Sequence, residues 1–148
     1  MSEKDQAGAS TRVLALTIRH ATEADIPAIT RIYNEGISDR IATLETELRT
    51  EDERRSWLRG RGERHPVFVA EHGTEVVGWA SINPFNPRAA YRYVADFSIY
   101  VARDARGKGA GSQLLAAIID EARRLGYHKL VLAGFPFNTA GIHLYRRF

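Results

Sequence analysis

Cysteine is absent from all 148 residues, so the chain offers no disulfide framework, no thiolate metal site and no cysteine nucleophile, as suits a reducing compartment. No apolar run approaches the ~20 residues of a membrane span, and the first ten residues are polar, without the apolar core of a secretory signal. Clustered charge of one sign is missing as well. Against 18 Asp and Glu stand 21 Lys and Arg, a net charge of +3, and acids are mixed among the arginines from Glu45 to Arg55. That pattern describes a solvated mixed-charge surface better than a nucleic-acid face, and it is compatible with an anionic ligand. His20, His65, His72, His128 and His143 lack metal-ligand spacing, and no nucleophile elbow supports a Ser-His-Asp arrangement. Neither a metal nor covalent catalysis is therefore expected. The expected setting is the cytoplasm, with no membrane and no nucleic-acid partner.

What the chain does contain is a hydrophobic content of 44%, enough for one domain with a layered core. A disordered segment over 1–10 and a single domain over 11–148 are predicted. Val13 to Ile18 reads as a first strand. Thr22 caps a helix with Asp25 in the acidic place of a capping box and Pro27 near its start, followed by Ile26, Ile29, Ile32, Tyr33 and Ile37 at helical spacing. Gly36 is expected to loosen the end of that helix and open a loop through Ala42-Thr43-Leu44-Glu45-Thr46. Thr50 to Arg59 reads as a short helix with three acids in its first turn and Trp57 and Leu58 inward. Val67 to Ala70 and Val76 to Ile82 form a hairpin around His72-Gly73-Thr74, closed off by Asn83-Pro84-Phe85-Asn86-Pro87. Tyr93 to Val101 is a strand, Gly109 to Leu125 a long amphipathic helix stopped by Gly126, Lys129 to Ala133 a buried strand, and Thr139 to Phe148 a last helix. The order β-α-α-β-β-β-α-β-α predicts an α+β fold, with helices on the faces of a mixed sheet.

The most informative stretch is the run from the strand Phe97-Ser98-Ile99-Tyr100-Val101 into Arg106-Gly107-Lys108-Gly109-Ala110-Gly111-Ser112. Glycines in alternate positions let backbone N–H groups converge on an anion at a helix start, where the helix dipole adds about half a positive charge. A Walker loop fails because Gly109 follows Lys108, and a dinucleotide fingerprint fails at Ser112. A pyrophosphate is the expected ligand, with a flexible glycine turn as the plain alternative.

Arg106-x-x-Gly109-x-Gly111 after a strand resembles the acyl-CoA signature of GNAT N-acetyltransferases. Ala42-Thr43-Leu44-Glu45-Thr46, the stretch from Tyr91-Arg92 to Tyr100-Val101, and Asn138-Thr139-Ala140-Gly141-Ile142 through Tyr145 are similar to the phosphinothricin acetyltransferase branch, so the resemblance runs from about Thr17 to Phe148. It implies a GNAT fold, a mostly antiparallel sheet flanked by helices on both faces, and acetyl-CoA as acyl donor. By the same resemblance Arg106, Gly107, Lys108, Gly109, Ala110, Gly111 and Ser112 hold the pyrophosphate. The backbone of Ile99, Tyr100 and Val101 pairs with the pantetheine arm, and Asn138 bonds its amide.

Asp96 stands where that branch usually has a glutamate acting as general base, and Tyr145 where a tyrosine or histidine protonates the thiolate, with His143 a weaker substitute. Strand alternation puts Asp96, Ser98 and Tyr100 on one face; a solvated strand acid and a core tyrosine are the ordinary readings. Leu44, Glu45, Phe85, Arg88, Arg92 and Tyr93 are implied for the acceptor pocket, Arg92 being the candidate for an acceptor carboxylate. Leu44 and Asn86-Pro87-Arg88 depart from the branch's usual pattern.

Members of the family continue past Leu144-Tyr145-Arg146-Arg147-Phe148 with two more strands, so the last strands are expected to be missing. The sheet edge this leaves would favour low stability, aggregation or a homodimer. The function expected is N-acetylation of a small amino-acid-like amine of the phosphinothricin or methionine sulfoximine type. Two alternatives are a non-catalytic acyl-CoA-binding module and an acetyltransferase acting on protein N-termini or lysines.

Overall fold

The computed structural model describes residues 13–39, 48–133 and 139–144, with the backbone alone at 133 and 139–141. Strands β1 (Thr17–His20), β2 (Val67–His72), β3 (Glu75–Pro84), β4 (Val94–Val101), β5 (Lys129–Ala133) and β6 (Thr139–His143) lie side by side in chain order. Every described pairing is antiparallel except β4 with β5. The parallel pair needs a crossover, and it is supplied by helix α3 (Ala110–Arg124). Helices α1 (Ile26–Asp39) and α2 (Glu51–Arg59) precede β2.

Adjacent residues of β3 show how the two faces are covered. Gly78 faces Leu114 of α3, while Trp79 meets Tyr33 of α1 and Trp57 of α2. Seven consecutive residues of β3, Val76 to Ile82, are buried, as expected of a central strand covered on both sides. Leu114, Ile118 and Ala122 form the fully buried stripe of α3, each large side chain contributing about 1.5–3 kcal/mol by burial.

Local signals account for most boundaries. Asp25 accepts from the Thr22 backbone N–H at 2.8 Å, and Arg19 grips the same carboxylate through two nitrogens at 2.7 and 2.8 Å. This ties β1 to the start of α1. Thr50 and Glu53 form a reciprocal cap at α2, Gly73 turns the β2–β3 hairpin at φ +64, and Gly126 follows α3 at φ +86.

Three expectations are corrected. Val13 to Leu16 does not join the first strand: Leu14 donates its N–H to the Lys108 carbonyl at 3.0 Å and accepts from Gln113 Nε2 at 2.8 Å. Sheet pairing begins only where Thr17 meets Glu71. Gly36 does not loosen α1, which continues to Asp39; it is buried, and a Cβ there would lie 3.0 Å from Tyr100 Cδ1. The last predicted helix begins instead as a strand, since Thr139–His143 pairs antiparallel with β5. Pairing satisfies the outer edge of β5, whereas a helix would carry Gly141 in its interior at a cost of about 1 kcal/mol.

Candidate functional site

The parallel pairing brings the β4 and β5 strands together over only part of their length. Val94 to Phe97 of β4 pair with Lys129 to Leu132 of β5, while Ser98 to Val101 continue to pair with β3, opposite Ser81, Ala80, Trp79 and Gly78. Among the described residues, then, β4 turns the backbone edge of its last four residues towards no other strand. A cavity of about 230 Å³ adjoins this stretch, lined by Gly36, Asp39, Ile99, Tyr100, Val101 and Arg106. A larger groove of about 610 Å³, at Arg19, Asp25, Arg31 and the β2–β3 turn, lies apart and contains none of the predicted site residues.

Beyond β4 the chain passes through a short 3-10 turn, Arg103–Ala105, into the glycine loop. Gly107 and Gly109 take φ of +78 and +87, the left-handed region where a side chain is strained. Gly109 is the N-cap of α3, no side chain caps the helix, and its first turn holds no acid. Gln113 is bonded back to the Gly109 carbonyl at 3.1 Å, so the N–H groups of Ala110, Gly111 and Ser112 in the first turn have no partner within the helix. They suit an anion.

The surroundings of the loop differ from the simplest reading of its glycines. Val13 Cγ1 would lie 2.9 Å from a Cβ on Gly109, whereas nothing among the described residues stands within 4 Å of one on Gly107. A Cβ on Gly111 would meet only Val101 Cγ2, at an ordinary 3.8 Å. Arg106 turns back from the loop to Asp39, at 2.7 Å, and to the Val101 carbonyl, at 3.3 Å. Lys108 gives its carbonyl to Leu14.

Asp96 is half-buried on β4, on the same face as Ser98 and Tyr100, directly opposite Asn83 of β3. Burial pushes its carboxyl above the usual range, and a hydrogen bond from Asn83 opposes this. Farther along this face Tyr100 stacks on Trp79 with centroids 4.9 Å apart, and Tyr33 and Trp57 meet the same cluster. Two arginines from the α2 region enter it. Arg54 lies over the Tyr33 and Trp57 rings at 4.8 and 4.6 Å, and Arg61 over Trp57 at 4.6 Å. Burial lowers the pKa of both, that of Arg61 to about 10. Arg54 Nε and Trp79 Nε1 are buried donors without a hydrogen-bond partner among the described residues.

The predicted acceptor residues Phe85, Arg88, Arg92 and Tyr93 lie together on the β3–β4 connection. Phe85 contacts Tyr91 at 5.4 Å, Arg92 lies over Tyr93 at 4.8 Å, and Tyr93 stacks on His128 at 4.9 Å. Arg88 caps nothing with its side chain and is exposed. Leu44, Glu45, Asn138 and Tyr145 lie outside the described residues; His143 lies on β6, not on a helix. Sequence reasoning missed Asn83, Arg54 and Arg61. Asn83 reads as a strand end, whereas β3 continues through it to Pro84. The arginines gave no signal, because an amphipathic helix pattern does not reveal a cation beneath aromatic rings.

Comparison with known proteins settles the family. The Acetyltransferase (GNAT) family model matches residues 11–148. The chain belongs to the GNAT acetyltransferase family. Among relatives of this GNAT chain, an L-methionine sulfoximine/L-methionine sulfone acetyltransferase of Pseudomonas aeruginosa is 37% identical over 136 residues, covering 90% of this chain and 79% of that protein. The crystal structure of a ribosomal-protein-alanine N-acetyltransferase from Brucella melitensis superposes with TM-score 0.75 at 44% identity, covering 78% and 72% of the two chains. A GNAT phosphinothricin acetyltransferase from Sinorhizobium meliloti, solved in complex with acetyl-CoA, gives TM-score 0.72 at 34% identity over 80% of this chain and 65% of that one.

Proposed function

We propose that this GNAT chain moves an acetyl group from acetyl-CoA to the free amine of a small amino-acid-like acceptor of the methionine sulfoximine or phosphinothricin type. The observation that carries the proposal is the backbone edge of Ser98 to Val101, which pairs with no described strand and leads to a helix start at Gly109 that no side chain caps. An extended pantetheine arm fits the first as an added strand, through Ile99, Tyr100 and Val101, and a pyrophosphate fits the second. The relatives whose names specify methionine sulfoximine and phosphinothricin support the acceptor class.

Bound acetyl-CoA supplies an activated acyl group; the chain's own residues do the rest. Asp96 takes a proton from the acceptor ammonium, directly or through one water, leaving a neutral amine to form the N–C bond at the thioester carbonyl. The C–S bond breaks, the departing thiolate takes a proton from Tyr145, and the nitrogen's second proton passes through water to the phenolate so formed, leaving the amide and the free thiol. Phe85, Arg88, Arg92 and Tyr93, with Leu44 and Glu45, surround the acceptor, Arg92 meeting its carboxylate. Asn138 bonds the pantetheine amide, and Arg106 to Ser112 hold the pyrophosphate. The site works in the cytoplasm and without a metal.

Acetylation of a protein N-terminus is the second reading, favoured by the likeness to the ribosomal-protein-alanine acetyltransferase. Acetyl-CoA-dependent thiol release, measured on methionine sulfoximine, phosphinothricin and a peptide with N-terminal alanine, separates the two. Turnover on the amino acids alone supports the first; turnover on the peptide alone replaces it with the second.

A further inference from the structure

We propose that Asn83, held in one orientation by Arg61, is a positioning residue for Asp96, presenting its amide N–H₂ to the carboxylate that takes the acceptor's proton. This rests on the reading of Asp96 as general base. Asn83 and Asp96 are cross-strand partners in the β3–β4 register, so their side chains rise from the same face of the sheet.

The two ends of an asparagine amide differ, one accepting and one donating, and a guanidinium can only donate. Arg61 Nη2 lies 2.8 Å from Asn83 Oδ1. That contact turns Nδ2 towards Asp96 Oδ1, at 3.5 Å, and Ser98 Oγ, at 3.2 Å. The flipped amide would set donor against donor at Arg61 and oxygen against oxygen at Asp96. Arg61 is fixed in its turn by the His65 carbonyl at 2.8 Å, by the Ile82 carbonyl, and by the Trp57 ring at 4.6 Å.

The orientation has a chemical consequence. Burial favours the protonated, inactive form of Asp96, and the Asn83 donor favours the ionised form. Among the described residues Asn83 of β3 is the side chain bonded to Asp96; Val131 stands beside it on β5, and of the two arginines on that face Arg61, from the α2–β2 connection, bonds the amide while Arg54 lies over the Tyr33 and Trp57 rings. The bond to Asp96 is long, as catalytic hydrogen bonds often are before substrate binds. The amide thus favours the ionised form, the one able to take the acceptor's proton, in a half-buried place.

The test is the pH profile of kcat/KM for the acceptor at saturating acetyl-CoA, in the full chain and in Asn83→Ala, Arg61→Met, Arg61→Lys and the Asn83→Ala/Arg61→Met pair. Asn83→Ala should move the acid limb to higher pH and lower kcat/KM along that limb roughly three- to tenfold, on the scale of one long hydrogen bond to a charged group. The KM for acetyl-CoA should not change. Arg61→Met should move the limb in the same direction and add nothing to Asn83→Ala, while Arg61→Lys, which keeps a donor, should stay nearer the parent. Should Arg61→Met lose its thermal transition, Asn83→Ala decides alone. A loss of activity with an unmoved acid limb would overturn the proposal, leaving Asn83 a purely structural role. Full turnover by Asp96→Asn would remove the base itself, an outcome distinct from an unmoved limb in an Asp96-dependent enzyme.

Discussion

A Cβ on Gly36 of α1 would lie 3.0 Å from the Cδ1 of Tyr100 on β4, and Tyr100 in turn stacks on Trp79 at 4.9 Å. The helix can approach this part of the sheet so closely because position 36 has no side chain. Both Gly36 and Tyr100 line the cavity beside the β4 edge that pairs with no described strand. Gly36→Val should therefore displace the Tyr100 ring rather than break α1. The expected result is a raised KM for acetyl-CoA with helix content preserved, read by steady-state kinetics and circular dichroism. An unchanged KM would separate this cavity from the donor site.

The glycines of the loop should respond differently to alanine. Gly109 combines φ +87 with Val13 Cγ1 at 2.9 Å from the new Cβ, so Gly109→Ala should lower stability by about 1–2 kcal/mol from the left-handed backbone alone. Gly111 has ordinary space and lies in α3, so Gly111→Ala should keep or raise the melting temperature, helix propensity contributing about 0.5–1 kcal/mol. Its acetyl-CoA affinity should nevertheless fall, because the added methyl obstructs the N–H groups of the first turn. Calorimetric titration of the folded variant checks this, and undiminished affinity would place the pyrophosphate elsewhere.

Much of this was legible in advance. The capping pair Thr22–Asp25, the Thr50 cap, the Gly73 turn and the apolar stripe of α3 are local signals that lie where the pattern placed them, although Leu114, Ile118 and Ala122 are fully buried and Leu115, Ile119 and Leu125 only partly. Long-range contacts were not legible. Val13 to Leu16 has the composition of a strand, yet its hydrogen bonds go to Lys108 and Gln113. Gly36 reads as a helix breaker until Tyr100 is known to face it. The strand at Thr139–His143 depends on the pairing needs of β5, which helical spacing cannot express. At the candidate site, alternation placed Asp96 with Ser98 and Tyr100, but not the register that sets Asn83 against Asp96.

Acid should act on stability through Asp25. Burial opposes ionisation there, but bonds from Arg19 and Thr22 outweigh it and hold the carboxyl below its usual range. A depressed folded value means that the stabilisation is present above the unfolded value and is lost as pH falls through the folded one. Asp25→Ala, which also removes the Thr22 cap, should cost about 2–3 kcal/mol at neutral pH. Denaturant melts at neutral and acid pH check this. The variant's deficit should shrink in acid, and a pH-independent deficit would contradict the linkage.

The reading of Asp96 as general base is the central claim, and Asp96→Asn tests it most directly when acetyl-CoA-dependent thiol release on methionine sulfoximine is measured beside acetyl-CoA affinity. The expected result is a turnover loss of roughly 100-fold or more with affinity for acetyl-CoA unchanged. Parental turnover in the variant would contradict the account.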